Sequence, residues 1–139
     1  MKTIVLGYDG TEPAERALAR TAELARAFDA TVVVTSVAPL LVGAVAARGI
    51  SGFDPADPPE AHREQLTHAA KVLREQGVTA ETELGAGSPA AEILEVADAR
   101  EADLIVVGAR ERSLLERLLD PSVSSSVERR AHRDVLVVH

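Results

Sequence analysis

Two short stretches of the sequence place glycine and a polar or charged side chain directly after an apolar run. The first is Gly7-Tyr8-Asp9-Gly10, following Ile4-Val5-Leu6; the second is Gly108-Ala109-Arg110, following Leu104–Val107. In open α/β sheets ligands lie beyond the carboxyl ends of the strands. If the two runs are neighbouring strands, Asp9 and Gly108 face one crevice. Residues 110–133 hold six arginines and four acids, a net +2, whereas the rest of the chain carries −9. If the chain has an anion site, that segment is where to look, and the hydroxyls of Ser122, Ser124, Ser125 and Ser126 fall within it. The plainer reading of those serines is capping of a final helix, and of the arginines a solvated face.

Other chemistries find no support in the spacing. His62 and His68 are six apart, which sets them on different faces of a helix, whereas a metal pair needs three or four. There is no cysteine, so thiolate sites and disulfides are excluded. The GxGxxG and GxxxxGK[ST] phosphate motifs are absent. A phospho-acceptor receiver is excluded too, since the third apolar segment ends in Leu84-Gly85 and the lysines are Lys2 and Lys71. Glu12 and Glu15 near Asp9 fit a helix N-terminus without any catalytic role. A Ser–His–Asp triad has no readable spacing, because triads assemble in space.

Composition narrows the partners. The net charge of −7, with Tyr8, Phe28 and Phe53 as the only aromatics, makes a poor nucleic-acid binder, which needs cationic surface and stacking platforms. No apolar run nears the ~18 residues of a membrane span, and the apolar N-terminus is too short for a signal peptide. The expectation is a cytoplasmic protein without membrane attachment. Its 139 residues suit a single domain, 1–139.

The elements that position these residues alternate. Thr3–Leu6 reads as a buried strand. Thr11 reads as an N-cap with Pro13 in the first turn, and Ala14, Ala17, Leu18, Thr21, Leu24, Ala25 and Phe28 form a helical stripe. Thr31–Val37 is a β-branched strand. Pro39–Pro59, with three glycines and four prolines, reads as a long loop of the kind used for binding or as a lid. Glu60–Gly77 reads as a helix stopped by Gly77, and the alternating Val78–Leu84 as a strand near a sheet edge. Gly85-Ala86-Gly87 reads as a turn. Ser88 and Pro89 open a third helix whose Ile93, Leu94, Val96 and Ala97 face inward, and Asp103–Gly108 is a fully apolar strand. A short helical piece at Leu114–Leu119 and a last helix opened at Ser122 or Ser125 precede the strand Asp134–His139. Alternation of this kind gives an α/β fold, a single open five-stranded parallel sheet with helices on both faces.

Three blocks resemble the universal stress protein family: TIVLGYDGTEPAERAL, GAGSPAAEILEVADAREADLIVVGAR and SVSSSVERRAHRDVLVV, in order and across essentially the whole chain. The resemblance implies a nucleotide-binding-type sheet of order 3-2-1-4-5 and a homodimer. Its nucleotide-binding members carry Gly-x2-Gly-x9-Gly-[Ser/Thr] after the fourth strand, a nest of backbone N–H groups for phosphates. On this chain the four positions fall on Gly108, Glu111, Pro121 and Ser122. Pro121 has no N–H to offer. Glu111 brings a like charge, and two such charges ~4 Å apart at an effective dielectric of ~20 repel by roughly 4 kcal/mol; Arg110 and Arg112 offset part of it. The residues expected to hold a ligand are Asp9, Val37, Gly108, Arg110, Ser122, Val123 and Ser124, with no catalytic and no metal-ligating residue.

The expected function is a non-enzymatic binding or regulatory module in stress response with a degenerate ATP loop and weak or no ATP binding. The alternative is a true ATP or AMP binder (with Mg) that has a rearranged phosphate loop and slow hydrolysis. A third reading is a ligand-free module that holds an unknown protein partner through its acidic surface or the 39–59 loop. Dimerisation is expected through Asp134–His139, whose edge would pair with a second copy.

Overall fold

The structure, a computed structural model, describes residues 1–41, 52–109 and 133–139. In chain order these form β1 (Thr3–Gly7), α1 (Glu12–Phe28), β2 (Thr31–Ala38), α2 (Pro59–Glu75), β3 (Ala80–Ala86), α3 (Pro89–Ala99), β4 (Leu104–Gly108) and β5 (Asp134–Val138). All neighbouring strands are parallel, and the sheet runs β3-β2-β1-β4-β5. The expected order 3-2-1-4-5 is therefore observed.

Period-two alternation sends successive side chains of each strand to opposite faces. Ile4, Leu6, Val32, Val34 and Val106 pack under α1 and α2. Val5, Val33, Ile105 and Val107 pack under α3, against Ala90, Ile93, Leu94 and Ala97. Strands buried on both faces read as unbroken apolar runs, which is how β1, β2 and β4 appear in the sequence. The buried stripe of α1 consists largely of alanine, with Leu18 as its one large apolar member, so the helix axis lies close to the sheet. Thr21 is fully buried there and donates its hydroxyl proton to Ala17 O at 2.8 Å.

Several boundaries differ from expectation. Gly85 and Ala86 belong to β3, not to a turn, because the β2 ladder continues through Val37↔Gly85 and Ala38↔Ala86. The reversal is confined to Gly87, at φ +102°, where a side chain would be strained. Neither Thr11 nor Ser88 makes a side-chain cap bond; the Thr11 hydroxyl is spent on Asp9 instead. Asp103 stands outside β4. The Pro39–Pro59 loop is closed at its neck by a Leu40↔Phe53 bridge, with Leu41 N–H donating to Gly52 O and Asp54 N–H to Pro39 O. The helices expected at Leu114–Leu119 and after Ser122 lie outside the described residues.

Candidate functional site

Strand order reverses between β1 and its two neighbours: β2 and β4, far apart in sequence, flank it. The helices that follow β1 and β2 pack on one face of the sheet and α3 packs on the other, and a cleft lies at the carboxyl ends of the central strands. The cleft holds about 520 Å³ counted out to its open mouth. Asp9, Val37 and Gly108 all line it, contributed by the ends of β1, β2 and β4. Arg110, Ser122, Val123 and Ser124 lie outside the described residues.

Asp9 sits in the turn from β1 into α1. Its Oδ1 accepts from Thr11 N–H at 3.1 Å and from the Thr11 hydroxyl at 2.5 Å, which fixes the side chain as an Asx-type turn. Gly10 follows at φ +75°, a conformation that lets the chain fold back into α1. Among the described residues no donor reaches Asp9 Oδ2, so that oxygen faces solvent as an acceptor. Gly108 is present for a different reason. A Cβ there would lie 2.7–2.9 Å from Pro13 C, O and Cβ, so β4 and the start of α1 touch only because the position is glycine. That contact forms one wall of the cleft.

Four lining residues were not among those expected to hold a ligand. Ser36 and His62 lie on the α2 side, where Ser36 Oγ is 2.6 Å from His62 Nδ1 and His62 Nε2 is 2.8 Å from Asp57 Oδ1. Both are buried, whereas Asp57 is half exposed. The three residues meet only once α2 packs on β2, so spacing along the chain gave no sign of them. On the α3 side Thr35 is 1% exposed, and its Oγ1 has no hydrogen-bond partner among the described residues. An unsatisfied buried hydroxyl costs about 1–3 kcal/mol. Tyr8 is buried and donates its phenol proton to Glu15, which also lies 3.1 Å from His68 Nε2. Burial, the bond to Glu15 and that residue's charge push the Tyr8 phenol well above the usual tyrosine range. Among the described residues no group of three His, Asp or Glu side chains is placed to hold a metal, and no helix is long and apolar enough to cross a membrane.

The whole sequence, residues 1–139, matches the model of the Universal stress protein family. The chain belongs to that family. It is 36% identical over 140 residues to universal stress protein MJ0531 of Methanocaldococcus jannaschii, covering 99% of this chain and 81% of the relative. It is 31% identical over 140 residues to universal stress protein Rv1636 of Mycobacterium tuberculosis, covering 99% and 96%. Among solved structures, the universal stress protein from Archaeoglobus fulgidus in complex with dAMP superposes with a TM-score of 0.72 at 27% identity, covering 100% of this chain and 98% of that one. A universal stress protein in complex with cAMP gives 0.66 at 31% identity, covering 99% and 96%.

Proposed function

We propose that this universal stress protein is a non-enzymatic regulatory module of the stress response whose cleft takes a purine nucleoside monophosphate and binds ATP weakly. The observation that carries the reading is the convergence of Asp9, Val37 and Gly108 on one cleft at the β1/β2/β4 strand ends. Relatives of the same fold have been solved with dAMP and with cAMP, ligands with a single phosphate. Asp9 Oδ2 is available to accept from a ribose hydroxyl. Apolar Val37, Ile93 and Val107 offer a base its nonpolar faces. Weak ATP binding follows from the sequence of the phosphate loop. At two of the motif's glycine positions the chain carries Pro121, which has no N–H for a phosphate, and Glu111, which carries a negative charge.

Assembly as a homodimer through Asp134–His139 belongs to the same proposal. β5 lies at the edge of the sheet, and among the described residues no strand pairs with its outer side. Two copies related by a twofold axis would extend the sheet.

The test is thermal unfolding of protein stripped of nucleotide, alone and with Mg-ATP or AMP. A ligand at ~100 times its Kd stabilises by about 2.7 kcal/mol, roughly 5–15 °C for a chain of this size. AMP at millimolar concentration is expected to raise Tm and ATP to raise it less. Glu111→Gly with Pro121→Gly is expected to enlarge the ATP shift. No shift with either nucleotide would overturn the reading, and an ATP shift at least equal to that of AMP would establish the true ATP binder in its place.

A further inference from the structure

A serine, a histidine and a carboxylate form one hydrogen-bonded chain at the wall of the cleft. Ser36 Oγ is 2.6 Å from His62 Nδ1, and His62 Nε2 is 2.8 Å from Asp57 Oδ1. The Asp57 carboxylate can only accept, so the proton between it and His62 belongs to Nε2. The neutral imidazole then has its lone pair on Nδ1, where it accepts the Ser36 hydroxyl proton. A hydroxyl held by a base that a third group orients is the arrangement that activates a serine. The ring is turned end for end relative to the serine-protease case, where Nε2 faces the serine, but the proton has the same path.

The surroundings add a donor. Ser36 and His62 are buried, and both line the cleft, so a reagent reaches them through its mouth. Gln65, one turn after His62 on α2, places one end of its side-chain amide 3.4 Å from Ser36 Oγ. Because Ser36 donates to His62, the end that faces it is the amide nitrogen; the two ends of a glutamine amide are assigned from their partners. An amide N–H beside the nucleophile is a donor of the kind that stabilises a tetrahedral oxyanion. Gly10 leaves room for that amide, since a Cβ there would come within 3.1–3.3 Å of Gln65.

We propose that Ser36 is a nucleophile and a covalent modification site, which with His62 as its base takes an acyl group from an uncharged carboxylic ester, one group per chain. Ser36 Oγ bonds to the acyl carbon while its proton passes to His62 Nδ1. The bond from that carbon to the alcohol oxygen then breaks, and the alcohol leaves with the proton returned by His62. Among the described lining residues Asp9 is the one carboxylate and no lysine or arginine joins it, whereas Val37, Ile93 and Val107 are apolar. That wall disfavours an anionic acyl donor. Ser36 and His62 act on the reacting atoms. Asp57, which does not line the cleft, is a positioning residue. The proposal goes beyond the nucleotide reading and does not rest on it.

The experiment treats the full chain with p-nitrophenyl acetate, follows nitrophenolate release and locates the acetyl group by peptide mass mapping. The wild type is expected to release one equivalent in a burst and to carry the acetyl group on Ser36. Diisopropyl fluorophosphate, also uncharged, should label the same serine as a stable adduct, with loss of fluoride. Ser36→Ala should lose both labels. His62→Gln should slow acylation by about 100–10,000-fold, the usual contribution of a positioned base, and Asp57→Asn by at least ~10-fold through the wrong tautomer. An asparagine amide donates to His62 Nε2 and moves the ring proton to Nδ1. The ¹⁵N spectrum of His62, assigned from the signal lost in His62→Gln, should therefore change from Nε2–H to Nδ1–H in Asp57→Asn, a change that a merely structural role would not produce. Asp57 is half exposed and Ser36→Ala removes a single atom, so these two variants decide the matter if His62→Gln fails to fold.

Label on the amino terminus, Lys2, Lys71 or the other histidines with none on Ser36 would overturn the proposal. Wild-type Nδ1–H, or a Ser36 acylation rate that Asp57→Asn leaves unchanged, would overturn it too. Repeated turnover of the ester would uphold the nucleophile and overturn the non-enzymatic part of the reading above, and neither result bears on nucleotide binding.

Discussion

Replacing Gly108 by alanine tests whether the contact between β4 and the start of α1 depends on the missing side chain. The added Cβ would stand 2.7 Å from Pro13 C, 2.8 Å from its O and 2.9 Å from its Cβ. Ordinary carbon contacts begin near 3.5 Å, so relief requires a movement of roughly 0.8 Å. Two of the three atoms are backbone at the first turn of a 17-residue helix, and a rotamer change cannot supply that movement. Overpacking of this kind costs about 1–3 kcal/mol, offset by about 0.4–1 kcal/mol from the stiffer unfolded chain.

Two other glycines calibrate the result. At Gly7 the new Cβ meets the Ile93 Cδ1 methyl at 2.8 Å, a buried side chain that must repack, for about 1–2 kcal/mol. At Gly85 the close atoms are Glu92 Oε2 at 2.9 Å, Cβ at 3.1 Å and Cγ at 3.2 Å; the carboxylate end can swing away and only the milder approach to Cβ remains, so alanine there costs least, about 1 kcal/mol or below. Urea unfolding of the three variants should give the order Gly108→Ala, Gly7→Ala, Gly85→Ala from most to least destabilised, with the m-value unchanged. A Gly108→Ala variant as stable as Gly85→Ala would refute the close-approach account of that wall of the cleft.

Three further outcomes are expected. Arg133→Met deprives Asp98 of a guanidinium 3.1 Å away in a setting where both side chains are about 15% exposed or less, and removes a donor from Ala102 O. It should cost about 1–3 kcal/mol, the range for a buried carbonyl that loses its donor, and a loss under ~0.5 kcal/mol in the same urea assay would contradict it. Tyr8 is the only tyrosine and the chain has no tryptophan, so absorbance near 295 nm reports this phenol alone. It should stay protonated through the ordinary tyrosine range near 10, and ionise there only if the protein has unfolded. Because its folded value is raised, stability should fall as the pH climbs from that range towards the raised value. Asp103 accepts from Lys2 N–H at 2.7 Å and Thr3 N–H at 3.0 Å, which holds its carboxyl below the usual range. A depressed value stabilises above the unfolded value and is lost as the pH falls through the folded one. Asp103→Asn should therefore be less stable than wild type at pH 7, with the gap narrowing in acid; a gap that persists or widens in acid would contradict this.

The sheet was legible because burial on two faces writes itself into sequence as continuous β-branched runs, as in Thr31–Val37 and Leu104–Val107. The stripe of α1 was legible for the matching reason, a period of three and four. Asp9 and Gly108 could be paired in advance because each closes such a run. Ser36, His62 and Asp57 could not, since their contact depends on how α2 lies on β2, and no local pattern encodes that angle. His62 was set aside on its spacing from His68, whereas its partners come from a strand and a loop. The β3 end was misjudged for a local reason: two glycines around an alanine resemble a turn, but the β2 ladder supplies partners out to Ala86 and outweighs that preference. Thr11 kept the helix start in place without capping it: its hydroxyl donates to Asp9 Oδ1, and its oxygen accepts from no backbone N–H of the first turn, a choice that propensity alone does not resolve.

The position of β1 in the sheet has a bearing on the order in which the chain is made. β1 acquires β2 as a partner soon after synthesis begins, through the register Thr3↔Thr31. Its other edge waits for β4, and the clamp of Asp103 on Thr3 N–H spans 100 residues of chain. At about 5–20 residues per second that edge, Ile4-Val5-Leu6, stays unsatisfied for roughly 5–20 seconds on each ribosome. Neighbouring nascent chains on one message carry the same open apolar strand, so holdase chaperones have their clearest target in the N-terminal half, during the interval before β4 emerges.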